Sequence, residues 1–166
     1  MYKCFIGIDP GLTGALASIN CDGDSQIMRD LPTSQLNKLK WVDGILLLEI
    51  LREARGDTPP QQCLITLEQT GVIPKNGAIA ANSMGRTLGS ILATIQISGI
   101  PFHVVQPARW KSVMKVPTEK DGARQKAIQL FPGFRDELDR KKDHNRAEAA
   151  LLAYYGCAFG ALAVSK

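Results

Sequence analysis

Residues 4–19 read CFIGIDPGLTGALASI, two apolar runs joined by a glycine-containing turn. The first run ends in an acid, Asp9, followed by Pro10, Gly11 and Gly14. A carboxylate at the end of an apolar strand is costly unless something charged compensates it. The glycines allow backbone, or a phosphate-bearing ligand, to come close. The plainer alternative is an Asp that only caps the turn. Further along, CDGD at 21–24 is a turn signal and SQIMRDL at 25–31 completes a three-stranded meander.

Beyond the meander the texture alternates. WVDGILLLEILREAR (41–55) has helical spacing of Leu and Ile, with Ser34 or Asn37 as the expected cap. CLITLE (63–68) is another apolar run that ends in an acid, Glu68. The small-residue segment at 76–99 reads as a helix whose Ala80, Ala81, Gly85 and Gly89 suit either sheet packing or a dimer seam. PFHVV (101–105) is a fifth strand, and 115–133 holds a short charged helix. Strands alternating with helices predict an α/β fold, a mixed sheet covered by helices. At 166 residues the chain is expected to be one domain, 1–166, with a real core.

Composition excludes several classes. No stretch has the length and flanks of a membrane span, and the apolar run at the N-terminus is too short for a signal peptide. Cys4, Cys21, Cys63 and Cys157 lack CxxC spacing and nearby histidines, so free thiols in a reducing cytoplasm are expected rather than zinc. The net charge of +4 is unevenly placed: residues 103–146 hold 11 Lys/Arg against 6 Asp/Glu, while residues 1–102 hold 8 against 9. A basic second half suits a polyanionic partner, or simply a solvated surface.

Two acids at the ends of neighbouring strands raise each other's cost of ionisation, and a divalent cation removes it. Oxygen-only ligands favour Mg²⁺ or Mn²⁺. Further ligands would come from KKDHNRAEAALLAYYG (141–156), where Asp143 and Glu148 stand five residues apart. On a continuous helix those two point about 140° apart, so Asp143 joins Glu148 only from at or before the helix cap. His144 is the alternative, as a metal ligand or proton shuttle. The bland reading makes Asp143 an N-cap and Glu148 a solvated side chain.

FIGIDPGLTGALA, LITLEQT and KDHNRAEAALLA, in this order, resemble the RuvC family of Holliday junction resolvases, and most closely its small phage and bacterial relatives. The basic segment 106–133 resembles the family's stretch before the last acids. The resemblance implies an RNase H-like fold with a mixed five-stranded sheet, three strands antiparallel and two parallel, flanked by helices. It implies a cytoplasmic homodimer that cuts two opposed strands of a four-way DNA junction with Mg²⁺, Mn²⁺ substituting, two ions per site.

Asp9 and Glu68 match the first two family acids and Glu148 the last. The family's Asp or His three residues before the last acid is here Asn145, which leaves Asp143 or His144 as the fourth member, with Asp143 the expected one. The apolar wedge expected three residues after Glu68 is replaced by Gly71, with Val72 and Ile73 just beyond. Phosphate contacts are expected from Arg109, Lys111 and Lys115 on one helix side, from Lys120, Arg124 and Lys126 on the next, and from Arg86. Trp41, Trp110 and His103 read as packing residues.

Rival readings are a nuclease for flaps, forks or other branched DNA, and a non-catalytic junction binder. IGIDPGLTGA also resembles the first phosphate loop of actin-like ATPases, but those need two such domains and far more chain, so no nucleotide cofactor is expected.

Overall fold

The computed structural model describes residues 1–70, 77–119 and 121–160. Gly71, Val72 and Ile73, the segment where a wedge is expected from Val72 or Ile73, and Lys120, an expected phosphate contact, lie outside the described residues.

The meander forms as expected: β1 (Cys4–Asp9), β2 (Ala15–Asn20) and β3 (Ser25–Asp30) run antiparallel in sequence. β6 (Cys63–Glu68) then pairs parallel to β1, and β7 (Phe102–Val105) parallel to β6. The sheet order is β3-β2-β1-β6-β7, so the central strands carry near-continuous apolar runs, as strands covered on both faces must.

Residues 33–42 depart from expectation. They form a separate hairpin, β4 (Thr33–Leu36) with β5 (Leu39–Val42), rather than a cap and helix start. Asn37 takes φ 54 in its turn, a conformation Asn tolerates better than most residues. Asp43 is the true cap of α1 (Gly44–Arg55), accepting the Ile45 and Leu46 amides at 3.0 and 3.1 Å. The Ser34 hydroxyl donates to the Asp43 carboxylate, holding the hairpin against the helix start.

α1 and α2 (Ala78–Ser98) cover one sheet face over Cys4, Ile6, Ile8, Leu16 and Ile65. α2 turns Thr87, Ile91, Thr94 and Ile95 inward. Gly85 and Gly89 are exposed with open space around them, so that side of α2 does not pack on the sheet. The other face carries α3 (Pro107–Val113), α4 (Gly122–Leu130) and α5 (His144–Phe159), over Phe5, Ala15, Ala17 and Leu64. Among the described residues no helix is long and apolar enough to cross a membrane.

α5 lies very close to β1. A Cβ on Gly7 would collide with the backbone of Ala149 and Ala153, so only glycine lets the helix sit at this depth. At the turn after β1, a Cβ on Gly14 would strike the carbonyl of Asp9, and the Gly14 amide closes the turn on the Gly11 carbonyl at 3.1 Å.

Candidate active site

The parallel register of β1 and β6 pairs Ile8 with Leu67, and the next step along both strands brings Asp9 beside Glu68. Side chains alternate across a sheet. Asp9 therefore shares the face of Phe5 and Gly7, and Glu68 that of Leu64 and Thr66; both point to the α5 side. Glu148, in the second turn of α5, comes down onto the same strand ends. One oxygen from each of Asp9, Glu68 and Glu148 lies within 4.8 Å of the others. Asp9 and Glu68 are each only 8% exposed.

Burial together with the neighbouring Glu68 and Glu148 pushes the Asp9 carboxyl up to about 8, against the pull of Lys111. Glu68 is raised too, mainly by burial, while a hydrogen bond from Trp110 works the other way. These two opposing donors come from consecutive residues of α3. Trp110 Nε1 donates to Glu68 Oε1 at 2.8 Å, and Lys111 Nζ lies 2.6 Å from Glu148 Oε1. The Lys111 ammonium also stands 5.2 Å from the centre of the Trp110 ring. An all-oxygen donor set of three clustered carboxyl groups, two of them buried, suits a hard divalent cation.

The other expected residues distribute unequally. Asp143 stands at the cap of α5, as its joining the cluster required, but its carboxylate is turned to Arg140. It accepts the Arg140 amide at 3.0 Å and two guanidinium nitrogens at 3.1 and 2.8 Å. That arginine holds Asp143 below the usual carboxylate range. His144 is exposed at the first position of α5. Neither belongs to the three-acid group. Asn145, three residues before Glu148, donates to the carbonyl of Thr13 at 2.6 Å, tying the turn after β1 to the helix.

Among the basic residues, Lys111 reaches the cluster. Arg109 is exposed on the same helix. Lys115 does not share that helix side: α3 ends at Val113, and Lys115 has φ 50 beyond its cap. Arg124 is held by Asp121 at 2.7 and 2.6 Å and donates to the carbonyls of Leu138 and Asp139, which makes it a bracket between α4 and the segment before α5. Lys126 faces the Lys115 carbonyl at 3.5 Å, too long to fix it. Arg86 is half-buried on α2 and donates to Asn82 at 2.9 Å. Trp110, expected as a packing residue, is fully buried and does pack, and its indole N–H also reaches the site by donating to Glu68. The clue available was its place directly before Lys111. His103 packs as expected, bonded to Thr66 at 2.7 Å and stacked on Tyr155.

Comparison with solved structures decides the architecture. Thermus thermophilus RuvC in complex with a Holliday junction substrate superposes with a TM-score of 0.63 over 95% of this chain and 96% of that one, at 16% identity. This chain has the RuvC fold. A second structure of Thermus thermophilus RuvC gives 0.56 over the same shares, at 15% identity. The mixed sheet with helices on both faces is thus the RNase H-like arrangement of RuvC. In sequence, 100 residues are 31% identical to the chloroplastic Holliday junction resolvase MOC1 of Chlamydomonas reinhardtii. That match takes in 59% of this chain, which spans only 11% of the relative's length. No protein-family model matches.

Proposed function

We propose that this protein is a structure-selective DNA endonuclease that resolves four-way junctions by metal-dependent hydrolysis of phosphodiester bonds in two opposed strands. The observation that carries the reading is the buried group of Asp9, Glu68 and Glu148 at the strand ends of a RuvC fold. The likeness to a chloroplastic junction resolvase supports it.

Asp9, Glu68 and Glu148 would hold Mg²⁺, or Mn²⁺ in its place. The cations would supply Lewis-acid stabilisation of the charge that builds on the phosphate and lower the pKa of the attacking water. The chain's own contributions are separable. Asp9 must give up its proton for the site to load. Trp110 donates a hydrogen bond to Glu68, and the Lys111 ammonium partly balances the charge of Glu148. Lys111 then stands where it can donate to a phosphate oxygen, and exposed Arg109 and Lys115 extend the positive surface for the strand. Two opposed cuts need two such sites, which a homodimer supplies.

The test is a cleavage assay with Mg²⁺ on a four-way junction, a flap, a fork and a linear duplex, using wild type and Asp9→Asn. Expected is paired nicking of the junction by wild type, and binding without cleavage by the variant. Equal cutting of flaps and forks would shift the function to branched DNA in general. Junction binding with no nicking under Mg²⁺ or Mn²⁺ would leave a non-catalytic binder.

A further inference from the structure

The three acids sit on three elements, and a carboxylate is useful to a cation only if its plane is held. Glu68 is the last residue of β6, with Gln69 and Thr70 beyond it in no regular element. Its carboxylate orientation therefore depends on what it touches. Trp110 supplies that contact: the indole is fully buried, its N–H has one proton to give, and it gives it to Glu68 Oε1 at 2.8 Å. The pair joins residues 42 apart in sequence, from β6 to the first turn of α3, so it fixes one element relative to the other as well as the side chain.

We propose that Trp110 is a positioning residue for the cation site. Its N–H takes one of about four lone-pair positions on the Glu68 carboxylate, which sets the rotation of the group and leaves the others for the cation. The same residue flanks Lys111, whose ammonium lies 5.2 Å from the indole centre and 2.6 Å from Glu148. α3 thereby steadies two acids through adjacent side chains, one by a neutral donor and one by a charge. The proposal rests on reading Asp9, Glu68 and Glu148 as a cation site, and groups that orient metal ligands in this way commonly govern affinity.

Trp110→Phe keeps the buried ring and removes only the donor. Mn²⁺ binding to the DNA-free protein is measured by calorimetry, with urea stability in EDTA measured alongside. Affinity is expected to fall by at least about tenfold. Lowered stability with unchanged affinity would leave Trp110 a packing residue and overturn the proposal, while the cation site itself would stand. Absence of Glu68-dependent Mn²⁺ binding in wild type would overturn both.

Should the variant fail to fold, wild type carries its own test, because the chain has two tryptophans, Trp41 and Trp110. Mg²⁺ titration should move the indole N–H resonance of Trp110 and leave that of Trp41, and Glu68→Ala should abolish the movement. A Trp110 resonance indifferent to Mg²⁺ would overturn the proposal.

Discussion

Lys111 Nζ lies 2.6 Å from Glu148 Oε1, which brings a positive charge to the edge of a group of three acids. The lysine is 37% exposed at its side chain, so the pair is partly screened and its value to stability is modest, about 1 kcal/mol or less. Its value to cleavage should be larger. Lys111→Met is expected to lower the single-turnover rate on a junction by about a hundredfold, the scale of losing one aimed donor. Junction affinity should change little beyond the loss of one phosphate contact. A variant that cuts at the wild-type rate would place Lys111 among ordinary surface lysines.

Asp9 and Asp143 are both buried, yet their substitutions should have opposite effects on stability. Asp9 titrates in the folded protein at about 8, far above an unfolded Asp. Between about pH 4 and pH 8 the folded state holds a proton that the unfolded chain has lost, so stability falls as pH rises through that window. Asp9→Asn removes the penalty and should raise the melting temperature of the metal-free protein at pH 8.5. Asp143 is lowered by Arg140, so its contribution is present above the unfolded pKa and lost on acidification. Asp143→Asn should cost about 1–3 kcal/mol in urea unfolding at pH 7, because a buried carboxylate that accepts three charge-assisted or backbone hydrogen bonds becomes a weaker neutral acceptor.

Cation binding should be strongly pH-dependent. Below about pH 8 a cation entering the cluster must release the Asp9 proton. Affinity for Mn²⁺ should therefore rise by up to about tenfold per pH unit between 6 and 8, then level off. Melting curves read this directly, because a ligand held only by the folded state raises stability. The shift produced by a fixed concentration should be larger at pH 8 than at pH 6, vanish with EDTA, and be absent in Asp9→Asn. Equal shifts at both pH values would mean that the cation binds elsewhere.

Gly7→Ala should injure the site from a distance. The added methyl meets the backbone of Ala149 and Ala153, which cannot move as a side chain can. Overpacking of this kind costs about 1–3 kcal/mol or more, and the relief available is for α5 to lift from the sheet, taking Glu148 with it. Cleavage is expected to fall more than the loss of stability explains, measured at a temperature where the variant remains folded.

The sheet and two of its acids were legible because strand texture is local: CFIGID and CLITLE each show an apolar run stopped by a carboxylate. Glu148 was legible from its alanine neighbours. The hairpin at 33–42 is not legible in the sequence because Ser34 and Asn37 are good caps and equally good turn residues. Asp43, directly ahead of GILLLEILREAR, carried the better signal. The partner of Asp143 could not be read, since Arg140, Lys141, Lys142 and Arg146 all stand nearby and only the turn before α5 selects among them. The role of Trp110 was hidden for a related reason: a buried indole looks the same in sequence whether or not its N–H is needed.

Asp9, Glu68 and Glu148 lie on the first strand, on a strand that follows β2, β3, the β4–β5 hairpin and α1, and on the helix that follows every strand of the sheet. No local fragment contains two of them. Long separations of this kind delay the closing contacts of folding, because loop-closure entropy must be met before they form. The three carboxylates thus come within 4.8 Å of one another only when β1, β6 and α5 have docked. An incomplete or partly unfolded molecule offers isolated acids that cannot share a cation. The proposed hydrolysis would in this way be a late product of folding, coupled to the same docking step that completes the core.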